Sequence, residues 1–358
     1  MSMPDNVLGP DSLQACATMM QGGSKTFFAA SRLLPLRIRQ AAIALYAFCR
    51  VADDLVDEAA PGDAPVDVLR ERLDLIYAGT PRDFVEDHAL STVVQQYQLP
   101  RHLLDALIEG FAWDAEDHHY DSLEDVQAYA ARVAGSVGAM MCWIMGPQSV
   151  DTLARACELG VAMQLTNIAR DVGADAAIQR LYLPRDWLRE AGIDPQAWLQ
   201  QPVCTPALQG VITCLLDEAD RLYQQAQTGI AALPPDCRAA ILSASLIYAE
   251  IGHQLRRDGL DPVTHRTVVS TPRKLVLLAT AWAQAPWIRT PLVAPTPLAA
   301  IDYLVRDCQQ PRLSSALAGA FFPNRAMPQR VAWVMDLLER REDARRQRVQ
   351  PMMHTRSV

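Results

Sequence analysis

Two short acidic segments lie inside otherwise apolar helical patterns, and they contain the residues best suited to chemistry. In the first segment, Asp53 and Asp57 are four residues apart and follow the apolar run 44–49. At about 100° per residue they lie one helical turn apart, so both carboxylates project from the same helix face. Arg50 lies about one turn earlier. This segment therefore offers two carboxylates and a guanidinium on one side of one helix.

The second acidic segment repeats the same spacing and adds an amide. Asn167, Asp171 and Asp175 recur every four residues, and Arg170 adjoins them. Their side-chain oxygen atoms therefore share a helix face as well.

Carboxylates this close together require a positive charge or a proton between them. Like charges one turn apart repel by about 0.2–0.5 kcal/mol on an exposed helix, and by more where solvent is excluded. Oxygen ligands without His or Cys suit Mg²⁺, which completes its coordination with water and substrate phosphate oxygens. Two such faces opposed across a helical bundle would hold a diphosphate through bridging Mg²⁺. Arg50 and Arg170 could bind the same phosphates directly.

A solvated helix face is the alternative explanation of each acidic segment, and for a single aspartate pair it would be preferred. Here both segments lie in apolar helices, each has an arginine within one turn, and one adds an asparagine in register. This combination favours a metal–diphosphate site. Other motifs are weaker. Ser24-Lys25 alone is typical of a helix start, and the glycines of 135–138 indicate close helix packing rather than a phosphate loop.

Helices must position these residues, because most of the chain shows a helical rather than a strand period. Ala, Leu, Arg and Gln are abundant, and β-branched runs are short. We therefore predict an all-α protein with a single-domain body over residues 1–290 and a proline-rich, helical C-terminal appendage over residues 291–358. The uncharged runs 133–150 and 275–288 contain Gly or Pro, and we interpret them as buried helices rather than membrane spans.

Composition restricts the partners and the compartment. Lys and Arg number 33 against 41 Asp and Glu, and the net charge of −8 argues against a nucleic-acid-binding surface. Half of the residues are hydrophobic, which is ample for a large core. The eight cysteines never approach metal-ligand spacing, and no basic segment precedes an N-terminal apolar run. We therefore expect a reducing compartment, the cytoplasm.

Several motifs occur in a fixed order along the chain. They are SKTFF at 24–28, ALYAFCRVADDLVD at 44–57, VAGSVG at 133–138, QLTNIARDVG at 164–173 and RLYLP at 180–184, together with Tyr129 and Tyr248. In this order they resemble the squalene and phytoene synthase family of head-to-head prenyl coupling enzymes, most closely its bacterial phytoene-forming members. The resemblance covers about residues 24–275, over two thirds of the chain.

The resemblance implies an isoprenoid synthase fold, a helical bundle around a central apolar cavity with metal ions at its mouth. The implied ion is Mg²⁺, with Mn²⁺ as a substitute. The implied metal ligands are Asp53, Asp57, Asn167, Asp171 and Asp175. The four aspartates and Tyr129 are implied to act in catalysis. The residues implied to bind substrate are Ser24, Lys25, Tyr46, Arg50, Gln164, Arg170, Tyr182 and Tyr248, with Arg266 as an addition.

The implied reaction, part of carotenoid biosynthesis, joins two geranylgeranyl diphosphates through a cyclopropyl diphosphate to give phytoene. Departure of pyrophosphate leaves an allylic cation that the double bond of the second substrate attacks, and proton loss ends the second step. Such a cation requires a dry hydrocarbon lining. Candidates for that lining, or equally for ordinary core packing, are Phe27, Phe28, Val133, Ala134, Val137 and Leu165.

Two alternatives stay open. The chain could use farnesyl diphosphate and form a squalene, dehydrosqualene or hydroxysqualene type of product, or it could be a catalytically silent relative in a pigment-synthesis assembly. Departures from the family pattern at Gly23, Ala174, Gln179, Leu260 and Pro262 keep these alternatives in view. The apolar and arginine-rich segment 333–348 has two interpretations: a solvated terminal helix packed on the body, which is preferred, and a contact with an anionic membrane surface at the inner face of the membrane. Contact with other carotenoid enzymes is a further hypothesis.

Overall fold

The fold consists of α-helices joined by short connections. The computed structural model describes residues 10–23, 30–60, 63–146, 149–289, 295–306 and 308. No β-strand occurs in these ranges, so the all-α prediction is confirmed for them. The α-helices, numbered in chain order, are α1 (Pro10–Gly23), α2 (Leu36–Asp57), α3 (Pro65–Ala78), α4 (Val85–Tyr97), α5 (Arg101–Ala115), α6 (Leu123–Ala130), α7 (Ser136–Met145), α8 (Val150–Ala177), α9 (Arg185–Glu190), α10 (Pro195–Gln200), α11 (Pro206–Ile230), α12 (Pro235–Arg257), α13 (Thr271–Gln284) and α14 (Asp302–Arg306). A π-helical turn covers Ala131–Gly135, and 3₁₀ turns cover Ala285–Trp287 and Ala299–Ile301.

Prolines and capping side chains begin several of these helices. Pro65, Pro206 and Pro235 occupy first turns, where the missing N–H would have no partner within the helix. At the start of α6, Ser122 accepts a hydrogen bond from the backbone N–H of Asp125, whose carboxylate accepts one from the N–H of Ser122. Local sequence therefore sets these helix starts, as the proline pattern predicts.

Helix α8 lies at the centre of the bundle. It packs against α7 and the π turn on one side and against α11 and α12 on the others. Val161 and Leu165, in its middle, are fully buried. The last third of the same helix carries the second acidic segment. One rigid element therefore connects the core of the molecule with the candidate site.

Two glycines allow α8 and the preceding helix to meet backbone to backbone. A Cβ atom on Gly160 would lie 2.2 Å from the carbonyl oxygen of Ala134, which belongs to the π turn. A Cβ atom on Gly138 would lie 2.1 Å from the carbonyl oxygen of Ala156. Both distances are far inside van der Waals contact, so only glycine fits. The prediction that small residues at 135–138 serve close packing is confirmed at Gly138.

The continuous helical stretch Leu123–Met145 joins α6, the π turn and α7. By length and composition it is long and apolar enough to cross a membrane, and 61% of its most apolar window is buried inside the bundle. A core helix passes the same test. The stretch packs against α5 and α8, which agrees with the interpretation of the run from residue 133 as a core helix.

Residues 295–306 follow the proline-rich stretch and pack onto the bundle. Leu304 is fully buried, and its carbonyl oxygen lies 3.1 Å from Nε2 of His102 in α5. The backbone N–H of Leu298 donates to Glu158, which also pairs with Arg155 at 2.9 Å in the interior of α8. The predicted C-terminal appendage, residues 291–358, lies mostly outside the described residues, and its limit at residue 290 stays a prediction.

Replacing Gly160 with alanine should destabilise the fold, because the new methyl group must displace backbone rather than a flexible side chain. We expect Gly160→Ala to lower the free energy of unfolding by about 1–3 kcal/mol, measured by urea denaturation. Gly210→Ala is the matched control, since a Cβ atom there meets nothing within 4 Å. It should raise stability by about 0.5–1 kcal/mol through the higher helix propensity of alanine. Equal effects of the two substitutions would contradict the close approach.

Candidate active site

A central cavity of about 340 Å³ runs between the helices. Its walls come from α1, α2, the π turn, α7, α8, α11 and α12. Most of its lining is apolar, and includes Met20, Leu34, Leu45, Val137, Met141, Met145, Leu159, Met163, Ile230, Leu233 and Ile241. The predicted apolar cavity is therefore present.

The structure separates the predicted lining residues into three groups. Val133, Ala134 and Val137, from the π turn and the start of α7, line the cavity. Leu165 is fully buried and belongs to the core cluster instead. Phe27 and Phe28 lie outside the described residues.

The cavity has two ends along α8, one beside the acidic segments and one lined by Thr152 and Arg155. On α8 it extends from Thr152 to Asn167, and 15 residues at 1.5 Å each give a wall of about 22 Å. Asn167 lies one turn before Asp171 on α8, and Cys49 on the α2 wall lies one turn before Asp53. Both acidic segments therefore begin at the same end. We call this end the mouth, and the end at Thr152 the floor.

Helix α2 carries the first acidic segment to the mouth. Burial, followed by the charge of Asp57, raises the pKa of Asp53 to about 6. The guanidinium of Arg50 turns mainly to Asp54, with Nε 3.0 Å from Oδ2, and lies 3.6 Å from Asp53. Asp57 accepts a hydrogen bond of 2.8 Å from Arg180. Arginine therefore compensates the negative charge of this segment only in part.

Two arginines hold Asp171 in the second segment. Arg170 donates from Nε to Oδ1 at 2.8 Å and from Nη2 to Oδ2. Arg266, from the loop between α12 and α13, donates from Nε to the same Oδ1 at 2.7 Å and from Nη2 to Oδ2 at 3.2 Å. Burial alone would raise the pKa of Asp171, but these hydrogen bonds lower it. Arg266, which the resemblance suggested, is thus in contact with an acidic segment.

Asp175 and Asn167 are less well compensated than Asp171. Burial, followed by the charge of Asp171, raises the pKa of Asp175 to about 7. The Oδ1 atom of Asn167 is buried and accepts no hydrogen bond from the part of the chain that the structure describes. Its Nδ2 atom lies 3.5 Å from Oε1 of Gln164. The side-chain oxygen of Asn167 is therefore a hydrogen-bond acceptor that no described group satisfies, and it lies beside carboxylates that repel each other.

Asp114, at the end of α5, is a site residue that sequence reasoning missed. Its carboxylate accepts hydrogen bonds from Tyr129 at 2.8 Å and from Tyr182 at 2.7 Å, and the two phenol rings stack with centroids 5.1 Å apart. After burial and the nearest aspartates, the charge of Asp114 also raises the pKa of Asp53 and of Asp175. Asp114 and the two acidic segments therefore surround one space.

Arg180 is a second site residue whose role was not predicted from the sequence. It occurs in the RLYLP motif, and in the structure it pairs with Asp57 and acts electrostatically on Asp114 and Asp175. Neither Arg180 nor Asp114 shares a helical repeat with the acidic segments. The one available signal was an aspartate next to Trp113 in a mostly apolar helix pattern.

Five further residues were predicted to bind substrate: three of them lie near the mouth, and two lie outside the described residues. Tyr46, Gln164 and Tyr248 line the cavity near the mouth. Ser24 and Lys25 lie outside the described residues. A Cβ atom on Gly23 would lie 2.5 Å from the hydroxyl oxygen of Tyr46. The Tyr46 hydroxyl therefore fills the space that a side chain at position 23 would occupy.

Two of the residues that depart from the family pattern adopt a left-handed backbone conformation. Gln179 has a φ of 61° and Leu260 a φ of 56°. Glycine adopts this conformation without steric cost, which explains why a glycine suits position 179. Ala174 is exposed, and the backbone oxygen of Pro262 accepts the N–H of Gly173. The aspartates of both acidic segments remain, so these departures remove no predicted metal ligand.

The donor set at the mouth fits a hard divalent cation. All its candidate ligands bind through oxygen. The pKa values of Asp53 and Asp175 are raised, and the carbonyl oxygen of Asn167 accepts no hydrogen bond within the described residues. Within the described ranges, no three His, Cys, Asp or Glu side chains converge into a closed metal cluster. An ion here would therefore take one or two carboxylates from the chain and its other ligands from water and phosphate, as Mg²⁺ commonly does.

Comparison with known proteins identifies the family. A family model described as squalene/phytoene synthase matches residues 20–274. The chain belongs to the squalene/phytoene synthase family.

Its similarity to individual members of this family is high. Phytoene synthase from Rhodobacter capsulatus is 53% identical over 270 residues, which cover 75% of this chain and 80% of that protein. Phytoene synthase from Cereibacter sphaeroides is 49% identical over 283 residues, with coverage of 76% and 80%. A crystal structure of a dehydrosqualene synthase in complex with ligand matches with a TM-score of 0.71 at 30% identity, and covers 77% of this chain and 97% of that one. The expected isoprenoid synthase fold is thereby confirmed.

Removing the hydroxyl of Tyr182 should destabilise this squalene/phytoene synthase, because the buried Asp114 carboxylate would lose a donor. We expect Tyr182→Phe to lower the free energy of unfolding by about 1.5–3 kcal/mol, the range for hydrogen bonds to charged groups. Tyr77→Phe is the control, since the Tyr77 hydroxyl donates to the neutral carbonyl of Leu99, and should cost about 1 kcal/mol. Urea denaturation measures both. A smaller loss for Tyr182→Phe than for Tyr77→Phe would contradict the role of Asp114 as acceptor.

Proposed function

We propose that this chain is a prenyl transferase that couples two geranylgeranyl diphosphates head to head and forms phytoene. The observation that carries the proposal is the distribution of charge: the cavity walls are mostly apolar, both acidic segments lie at the mouth, and Arg155 on the wall near the floor is paired with Glu158. A prenyl diphosphate has the same division between a hydrocarbon tail and a charged head. The identities of 53% and 49% to phytoene synthases support the geranylgeranyl substrate.

The diphosphate group would bind to the basic and hydroxyl side chains of the mouth. Arg50, Arg170 and Arg266 already lie within hydrogen-bond distance of aspartates there. Guanidinium groups bind phosphate oxygens in a forked geometry, which makes them suitable partners for a leaving pyrophosphate. The further residues proposed for substrate binding are Ser24, Lys25, Tyr46, Gln164, Tyr182 and Tyr248.

The proposed ligands for Mg²⁺, or for Mn²⁺ in its place, are the oxygen donors at the mouth. They are Asp53, Asp57, Asn167, Asp171 and Asp175. When bound, the divalent ion supplies positive charge that stabilises the departing pyrophosphate. Support comes from the pKa values of Asp53 and Asp175, which burial and neighbouring aspartates raise, and from the Asn167 carbonyl, which accepts no hydrogen bond within the described residues.

The side chains of the cavity would protect the reaction from water. Ionisation of one substrate releases pyrophosphate and leaves an allylic cation, which the double bond of the second substrate attacks. Loss of a proton from the resulting cation closes the ring of the cyclopropyl diphosphate. A second ionisation releases the other pyrophosphate, and rearrangement with loss of a second proton gives phytoene. Val133, Ala134 and Val137 present only hydrocarbon to the cavity below the mouth. Tyr129 is proposed to act beside the mouth, where the hydrogen bond to Asp114 fixes its phenol.

A farnesyl-using enzyme is the second candidate. It is favoured by the structural match to a dehydrosqualene synthase, which has 30% identity to this chain. The substrates of the two candidate enzymes differ by one isoprene unit in the length of their tails. The length of the cavity from mouth to floor therefore decides which tail fits.

The chain is proposed to act in the cytoplasm, at the inner face of the membrane, and alongside other carotenoid enzymes. The apolar product motivates this location, because a long hydrocarbon must pass from the cavity to a membrane or to the next enzyme. Nucleic acid is not a proposed partner, given the net charge of −8.

The product assay tests the proposed function directly. Purified protein with Mg²⁺ and geranylgeranyl diphosphate should release phytoene, identified by mass and absorbance. Chelation should abolish the activity, and either Mg²⁺ or Mn²⁺ should restore it. Asp53→Asn and Asp171→Asn should each lower the rate by about a hundredfold or more, because each removes a charge that holds the leaving group's cation.

Asp151→Asn is the control for these variants, since Asp151 is an exposed carboxylate at the opposite end of α8. It should leave the rate unchanged. A C30 product from farnesyl diphosphate without any C40 product would establish the second candidate instead. A folded protein that forms neither product would indicate the catalytically silent relative.

Shortening the cavity should change the substrate preference. Ala156 lines the cavity 11 residues before Asn167, about 16 Å along α8 from the mouth. We expect Ala156→Phe to lower kcat/KM for geranylgeranyl diphosphate by about tenfold or more relative to farnesyl diphosphate, because the ring occupies the position of the terminal isoprene unit. Ala177→Phe adds the same ring at an exposed position of α8 and should leave the ratio unchanged. Equal losses for both substrates would contradict the proposed orientation of the tail.

A further inference from the structure

Four helix ends meet at the floor of the cavity. Met145 is the last residue of α7, Thr152 lies in the first turn of α8, Ile230 is the last residue of α11, and Ala240 lies in the second turn of α12. All four line the cavity, and so does Arg155, three residues after Thr152. Among the described residues that line the cavity, Arg155 alone carries a formal charge. A hydrocarbon tail that reaches the floor therefore meets a charged side chain.

The aliphatic stem of Arg155 is enclosed between α8 and α11. Gly229, in the last turn of α11, also lines the cavity. A Cβ atom on Gly229 would lie 2.4 Å from Cβ and 2.8 Å from Cγ of Arg155. Only 4% of Arg155 is exposed. The absence of a side chain at Gly229 therefore provides the space that the stem occupies, and the stem has no path outward to solvent.

A buried ion pair holds the charged end of Arg155. Its Nη2 atom lies 2.9 Å from Oε1 of Glu158, which is fully buried and does not line the cavity. The same Oε1 atom accepts a hydrogen bond of 3.0 Å from the backbone N–H of Leu298. Nε and Nη1 of Arg155 are buried and have no hydrogen-bond partner within the described ranges. Each charge therefore depends on the other, because no water or further group compensates it.

Stability does not explain why such a pair lies at the floor. Apolar side chains of similar volume usually stabilise a protein as well as a buried ion pair does, whereas separating the two charges is strongly unfavourable. An apolar floor residue could change rotamer when a longer tail pushes against it. Arg155 cannot do so without leaving the carboxylate of Glu158 unpaired in the interior. The pair therefore makes the floor rigid.

We infer that Arg155, anchored by Glu158, is the stop that limits the length of the prenyl tail. The inference rests on the proposed function, since it assigns a role to the floor of the same cavity. Arg155 lies 12 residues before Asn167, about 18 Å along α8 from the mouth, and it follows directly on Ala156 in that direction. A tail with one isoprene unit more than geranylgeranyl would have to displace the stem of Arg155.

The experiment measures the binding of unreactive prenyl thiodiphosphates, in which sulfur replaces the bridging oxygen, to the full chain with Mg²⁺. We expect the unaltered chain to bind the C20 analogue about tenfold or more tightly than the C25 analogue by calorimetry. Combining Arg155→Ala with Glu158→Leu removes the stop without leaving an unpaired buried charge. The two dissociation constants should then agree within about twofold, because the longer tail gains a place at the floor.

A second floor variant tests the anchor rather than the bulk. Arg155→Met combined with Glu158→Leu keeps an unbranched stem but leaves it free to change rotamer. It should weaken the preference for C20 over C25 in the same direction, though less than the alanine variant. It also provides the test if the alanine variant does not fold.

Met163→Ala is the matched control for both floor variants. Met163 lines the cavity eight residues after Arg155, about 12 Å nearer the mouth. Its truncation widens the cavity without deepening it, so the preference for C20 over C25 should be kept.

Three results would overturn the inference. One is an unchanged preference for C20 in folded floor variants, and another is an equal loss of preference in Met163→Ala. Failure of the proposed function would look different, because the product assay on the unaltered chain decides it. If farnesyl diphosphate proved to be the substrate, the floor variants should extend the preferred tail from C15 to C20. A preference that stays at C15 would be the third contradicting result.

Discussion

The structure depends on the gathering of several carboxylates at one end of a mostly apolar cavity. Asp53 and Asp175 reach this end from different helices, and burial together with neighbouring carboxylates raises the pKa of both. Such repulsion would open an isolated helix pair. Here the apolar packing of α8 against its neighbours is strong enough to hold the groups together. The charged mouth therefore exists because the core below it resists the repulsion.

The central helix α8 meets two requirements that conflict in most sequences. Its middle must bury apolar side chains and meet a neighbouring backbone at Gly160, whereas its end must present oxygen ligands. The sequence reconciles these requirements by changing the composition of one face along the helix, from Ala156 and Leu159 to Asn167 and then to the aspartates. A rigid helix transmits the position of the packed end to the acidic end, because the two cannot move separately.

Repeats within a helix were predictable, whereas contacts between elements were not. The four-residue spacing placed the aspartates of each segment on one face, and the helical period of most of the chain predicted an all-α fold. Asp114 and Arg180 escaped notice because they reach the mouth from α5 and from the loop after α8, without a shared repeat. The run 275–288 was predicted to be a buried helix, and the exposure of Val276 and Trp282 in α13 was missed. An uncharged run has the same composition whether it is covered on both sides or on one, and tertiary packing alone decides between them.

The arginines at the mouth connect the two parts of the proposed site. The Nε and Nη2 groups of Arg170 and Arg266 donate to the oxygens of Asp171, which lowers the pKa of that carboxylate. Each of these N–H groups can donate to only one acceptor strongly. Under the proposed function, a diphosphate that takes the guanidinium donors therefore also frees carboxylate oxygens for a divalent ion. Substrate and ion would then bind cooperatively, because each removes the charge that opposes the other.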